Sequence, residues 1–179
     1  MGKSFKEIVE ENKIIFITSD LADNTVSQII TDLMRWSSDN EKQTIQIYLS
    51  SECYDFTNAV AIYDVLSNIP NPKVVYCIGA VGGLSLMYLA LADKKDRFAL
   101  KHTMFSFNQP VGMIGSGANQ QTEMDIEARK TSQIRKEFEE ILAGAFNKSL
   151  EEIHSLCEEE KEFTAEEAKD FGLIGSILR

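Results

Sequence analysis

Apolar residues recur along the chain in two rhythms, as short continuous runs and as stripes at spacings of three and four. The runs Lys13–Thr18 (KIIFIT), Thr44–Leu49 (TIQIYL) and Lys73–Ile78 (KVVYCI) have the length and the β-branched or aromatic content of buried strands. Between the first two, Val26, Ile29, Ile30, Leu33 and Met34 predict an amphipathic helix over Asn24–Ser37 with one buried stripe and Trp36 at its edge. A second helix is predicted over Thr57–Ile69, stopped by Pro70 and Pro72. Strand and helix in alternation imply parallel strands joined by right-handed crossovers, an α/β fold.

The stretch Cys77–Leu91 (CIGAVGGLSLMYLAL) joins the third strand to a buried helix expected over Leu84–Ala92, and Gly79, Gly82 and Gly83 permit a sharp turn between them. A strand, an elbow and a helix form the setting in which hydrolases expose a nucleophile beside backbone amides. No nucleophile stands at this tip. Two short strands, Arg97–Leu100 and Thr103–Phe107, and a glycine-rich stretch, Gly112–Gly117, come next. Gln121–Phe146 carries the longest helical pattern, broken only near Gly144. Ser149-x-x-Glu152 and Thr164-x-x-Glu167 are capping boxes for two further helices, Gly172 ends the last, and Leu173–Leu178 supplies a closing strand. Ahead of all this, residues 1–12 are polar, with Phe5, Ile8 and Val9 as anchors.

Composition narrows the classes. A chain of 179 residues, 44% hydrophobic, is long enough for one sizeable core and short for two, so residues 1–179 read as a single domain. A net charge of -10 disfavours nucleic acid as a partner. The apolar stretches fall short of a membrane span, so no membrane is expected. Cys53, Cys77 and Cys157 are odd in number and lack CxxC spacing, which points away from disulfides and zinc and toward a reducing compartment. No metal and no cofactor are expected.

The elbow resembles that of the ClpP peptidases, Gly-x-Ala-Ala-Ser-Met, with Gly83 where the family has its catalytic serine. Lys13–Ile17, Ala61-Ile62-Tyr63-Asp64, Arg97-Phe98-Ala99-Leu100, Gln109-Pro110 and Thr164–Ile174 fall in family order and spacing, so the resemblance spans nearly the whole chain. It implies a ClpP/crotonase-like spiral of ββα units, with a handle region at 111–146 whose long helix projects and whose glycine-rich stretch pairs with another ring. The axial pore loop of the family would precede the first strand, where this chain has little sequence.

The same match implies where a catalytic triad would lie. The family histidine directly precedes Gln-Pro, which puts Asn108 at the base position, and the acid falls at Glu160. A serine peptidase needs a nucleophile, a base and an acid to orient it; glycine has no side chain and asparagine does not exchange a proton near neutral pH. The family's Ser-Pro-Gly-Gly, one of whose glycine amides serves the oxyanion hole, corresponds to Ser51-Glu52-Cys53-Tyr54, with Leu84 following the elbow tip. Glu52 would bring negative charge to the place where the transition state develops it. Ser85 stands two residues past the tip as a displaced candidate, expected to face a neighbouring helix, and His102 and His154, the chain's two histidines, read as a turn residue and a helix-surface residue.

The resemblance also implies a docking surface for a hexameric AAA+ chaperone at Gln46, Tyr48, Tyr76, Ile78, Phe98, Leu100 and Leu178. On three strands these fall at i and i+2, hence on one sheet face; covering a core is the alternative use for them. Glu159, in the acidic turn Glu158–Glu162, replaces an arginine that family members use in ring-to-ring pairing. The expectation is a ClpR-like, non-catalytic subunit of a heptameric ring, alone or mixed with ClpP-like subunits. Such a ring would act on unfolded polypeptide, in a plastid-type stroma or a bacterial cytoplasm. An active peptidase with a displaced nucleophile and a crotonase-type acyl-CoA protein are the competing classes.

Overall fold

The computed structural model describes residues 2–18, 21–110 and 121–178. Helix α1 (Phe5–Asn12) is capped by Ser4, whose side chain accepts from the Glu7 amide while the Glu7 carboxylate accepts from the Ser4 amide. Strand β1 (Ile14–Thr18) follows, then α2 (Asp23–Asp39), β2 (Ile45–Cys53), α3 (Phe56–Asn68) and β3 (Lys73–Gly83). A 3-10 segment, Leu84–Leu91, leads to β4 (Arg97–Leu100) and β5 (Met104–Ser106). The rest is α4 (Gln121–Phe146), α5 (Leu150–Glu158), β6 (Glu162–Thr164), α6 (Ala165–Phe171) and β7 (Ser176–Leu178).

The fold is mixed α/β with a mostly parallel sheet. Strands run β1-β2-β3-β4-β7, all parallel. The long β3 pairs with two strands in succession: Val75–Cys77 with β4, and Ala80–Gly82 with β5, which turns antiparallel to β6. One sheet face carries Ile15, Ile17, Ile45, Ile47, Leu49, Val75, Cys77 and Ala99, all in the core beneath helices. The 3-10 segment is buried over Leu84–Leu89, packed between α3 and α4.

Several elements differ from their sequence expectation. The strands around the elbow are longer: β2 reaches Cys53 and β3 reaches Gly83, because the Ser51–Cys53 and Val81–Gly83 segments pair with each other. The segment after the elbow is a 3-10 helix rather than an α-helix. In α2 the buried stripe is Val26, Ile29, Leu33 and Trp36, while Met34 is 56% exposed. Trp36 is therefore core rather than edge, its indole NH donating to Glu10 at 2.8 Å. Helix α4 runs unbroken through Gly144, with its second half burying Phe138, Leu142 and Phe146. The closing strand is confined to Ser176–Leu178, since Gly175 packs directly on the backbone of Lys94. The Gly112–Gly117 stretch lies outside the described residues.

Candidate functional site

The three glycines of the elbow divide its work. Gly79, at φ +67, sits in the irregularity where three residues of β3 lie opposite Ser50 alone in β2. Gly82 packs against Ser106, which leaves no room for a Cβ. Gly83 ends the strand at φ 52, ψ -140, a region that L residues rarely adopt. A Cβ there would stand 2.8 Å from the carbonyl oxygen of Cys53 and 3.6 Å from the Tyr54 ring. Conformation and space both select glycine at the tip, with Leu84 buried just behind it.

Parallel pairing of Glu52 with Gly82 and of Cys53 with Gly83 holds the Ser51–Tyr54 loop beside the elbow. The Asn108 amide donates to the Tyr54 hydroxyl at 3.0 Å and to Ser106 Oγ at 3.3 Å, and Ser106 Oγ donates to Glu52 Oε1 at 3.1 Å. Tyr54 and Glu52 are thus the ends of one hydrogen-bonded chain across the elbow mouth, with Asn108 and Ser106 between them. Glu52 is held by a hydroxyl and Asn108 by a phenol. Neither contact calls for a proton to be taken up or released.

Glu160 occupies the turn after α5 at φ +48 and is exposed. Antiparallel pairing of Ser106 with Glu162, and the 2.9 Å bond from the Phe107 amide to the Lys161 carbonyl, bring that turn alongside Asn108. Among the described residues no hydrogen bond joins Glu160 to Asn108. The third position is near the second without orienting it.

The loop amide is also committed. Cys53 N donates to Ser85 Oγ at 3.2 Å, and Ser85 is fully buried. Ser85 therefore faces the end of β2, not the neighbouring helix expected of it, and gives a buried amide its acceptor. The Cys53 thiol donates to the Asp55 carbonyl at 3.5 Å, and burial pushes its pKa above the ordinary thiol value. Asp55 caps α3 by accepting from the Asn58 amide.

His102 lies in an exposed turn before β5. His154 belongs to a cluster that the sequence reading did not assemble. Arg135 on α4 donates to Glu139 at 2.8 Å, to Glu158 at 3.2 Å and to Gln109 at 3.3 Å, while His154 Nδ1 lies 3.1 Å from the Glu139 carboxylate. Glu139 is buried. The i,i+4 spacing of Arg135 and Glu139 was the available signal; their meeting with α5 and with the residue after Asn108 was not visible in one dimension.

On the sheet face away from the core the aromatic residues stack in register. Phe16, Tyr48, Tyr76 and Phe98 are mutual partners across β1, β2, β3 and β4, with ring centroids 5.4, 4.9 and 5.5 Å apart in turn. Phe5 of α1 extends the row at 6.1 Å from Phe16. Gln46, Ile78, Leu100 and Leu178 border it, with Leu100 and Leu178 paired across β4 and β7. All seven residues expected on this face are partly or well exposed, so they do not cover the core of this chain. Phe5 and Phe16 were missing from that set, though the i, i+2 pattern already marked Phe16.

A model of the Clp protease family matches residues 2–179. Among curated proteins, the ATP-dependent Clp protease proteolytic subunit 2 of Streptomyces avermitilis is 29% identical over 176 residues, covering 97% of this chain and 86% of the relative. The elbow, the loop beside it and the sheet that carries both are thus seen within one matched span: the chain belongs to the Clp protease family.

Proposed function

We propose that this chain is a ClpR-like, non-catalytic subunit of an ATP-dependent Clp protease, assembling into a heptameric ring that receives unfolded polypeptide from an AAA+ chaperone. The observation that carries the reading is Gly83. The elbow keeps a strand-to-helix bend, yet its tip has no side chain and the Cys53 carbonyl stands where one would begin. The loss of nucleophile and base each removes orders of magnitude in rate, and the two act as a unit. The committed Cys53 amide and the Asn108–Tyr54 bond support the same reading. The aromatic row supports a docking role, because among the described residues α1 reaches only its Phe16 end and leaves Tyr48, Tyr76 and Phe98 as a half-buried face suited to contact.

A second reading, an active peptidase, draws on the name of the Streptomyces relative, a proteolytic subunit. The displaced nucleophile it would call on is Ser85, whose hydroxyl is fully buried and engaged. A fluorogenic peptide assay with a fluorophosphonate probe separates the two. The silent reading expects neither turnover nor labelling from the purified chain; turnover that the probe abolishes would reverse it. Native mass spectrometry, alone and with an active Clp subunit, tests the ring: a homomeric or mixed heptamer is expected, and a monomer under both conditions would remove the assembly.

A further inference from the structure

Strand β1 forms one edge of the sheet, pairing with β2 alone among the described strands. The Gln46 amide donates to the Lys13 carbonyl at 2.9 Å, which sets the alternation along the strand. Ile15 and Ile17 bond β2, while Ile14 and Phe16 turn their amides and carbonyls outward. Among the described residues no hydrogen bond reaches those outward groups. The usual guards of an open edge are a proline, a charged side chain or a bulge. Ile14–Thr18 (IIFIT) has none of them, and its register with β2 is continuous.

A groove of about 860 Å³ lies along that edge. Lys6 and Val9 of α1 line one side and Thr25 and Gln28 of α2 the other, with Ile14 and Phe16 between them. Helix α1 buries none of its residues, so it walls the groove without closing it. Charge in the groove is uneven. At the Ile14 end, Glu10 and Asp32 are both engaged by Arg35, at 2.7 and 2.9 Å. At the other end Phe5 stacks on Phe16, and the adjacent Lys6 has no carboxylate partner among the described residues. Lys6 is thus the lining cation left over, and it calls for an anion on the occupant.

We infer that the edge of β1 accepts an extended segment of another polypeptide as an added strand. Outward amides and carbonyls at strand spacing are matched by a second extended backbone. The side chains of that segment alternate, one set beside Phe16 and Val9, the other over Thr25 and Gln28. The first set is therefore apolar with a carboxylate in reach of Lys6, and the second carries hydroxyls or amides. A second copy of this chain does not fit. Paired strands approach to about 4.8 Å, and in each copy β1 is flanked by helices about 10 Å across. The contact is made through the edge backbone rather than the aromatic face, and it does not depend on whether the elbow is silent.

The test uses the fluorescein-labelled peptide Thr-Val-Thr-Val-Thr-Glu and fluorescence anisotropy on the full chain. N-methylation of both valines blocks one edge of the peptide backbone, and N-methylation of the second and third threonines blocks the other. One of the two patterns should weaken binding about tenfold or more, as expected for two lost hydrogen bonds, and the other should leave it within about twofold. Replacing the glutamate by glutamine should weaken binding about threefold at low salt, and Lys6→Gln should abolish that difference. Phe16→Pro removes an outward amide and leaves the bonds to β2 in place, so it should bind the peptide less well than Phe16→Ala, with circular dichroism checking that both fold. If the proline variant does not fold, the methylated peptides decide the matter on the parent chain. Absence of binding by the unmethylated peptide, or equal loss from the two methylation patterns, would overturn the inference.

Discussion

The carbonyl oxygen of Cys53 stands 2.8 Å from the point where a Cβ on Gly83 would be. Repairing the triad by substitution therefore meets a backbone obstacle before any chemistry. The double variant Gly83→Ser/Asn108→His is expected to remain unlabelled by a fluorophosphonate. Positive φ at a non-glycine residue costs about 1–3 kcal/mol. A fall in melting temperature of about 3 °C or more should accompany it. Differential scanning fluorimetry reads the second effect, and a labelled, active variant would show that the Cys53 carbonyl yields.

Ser85 should matter for stability and not for rate. Its hydroxyl is the acceptor for the buried Cys53 amide. Ser85→Ala leaves that donor unpaired at a cost of about 1–3 kcal/mol. Urea denaturation of parent and variant measures the difference. A variant as stable as the parent would mean that the amide finds another acceptor.

Arg97 tests how the sheet is tied to α4. Its buried guanidinium donates to the carbonyls of Ala92 at 2.8 Å, Ala145 at 3.3 Å and Leu173 at 3.5 Å, and lies over the Phe146 ring. Burial pulls its pKa below the usual arginine value. Arg97→Ala should cost about 3 kcal/mol or more, since several buried carbonyls lose their donor together. Arg97→Lys should recover only part of it, because an ammonium does not fork. Equal stability of all three proteins in denaturant titrations would contradict this.

Glu10 makes the attachment of α1 acid-sensitive. It accepts two bonds from Arg35 at 2.7 Å and one from Trp36. The Arg35 bonds, against some desolvation, hold its pKa at about 2, below the ordinary carboxylate value. A depressed folded-state pKa contributes stability that is present above the unfolded value near 4.5 and lost as pH falls toward about 2. Glu10→Gln should melt about 1–3 °C below the parent at pH 6, as expected of a part-exposed pair. The gap should close by about pH 2. A gap independent of pH would assign the effect to packing.

For the aromatic row, Tyr76→Ala removes the ring with neighbours on both sides. Binding to a cognate AAA+ chaperone, measured by biolayer interferometry, should weaken about tenfold, as at a central aromatic contact. Undiminished binding would place docking elsewhere.

Much of this architecture was written in local patterns. Residues 44–49 and 73–78 announced strands through their own content, and Thr164 with Glu167 announced a helix start that forms a full capping box. The elbow was legible as a bend because glycines admit few other readings. What was not legible depended on partners distant in sequence. β2 and β3 extend past their apolar runs only because each supplies the other's hydrogen bonds. Met34 and Trp36 exchanged places because Lys13 and Glu10 of the first helix and its cap close over the indole, which periodicity alone does not register. The three-residue strand β6 is defined by its pairing with β5 rather than by its own composition. At the site, Gly83, Asn108 and Glu160 were singled out by the family resemblance, whereas Ser85 as the acceptor for Cys53 needed three dimensions.

Trp36 is the chain's single tryptophan, and its ring nitrogen is tethered to the helix that precedes the first strand. Any event that lifts that helix changes the surroundings of the chain's one indole. The molecule thus carries a native optical reporter, free of background from other indoles, of whether its leading segment is seated.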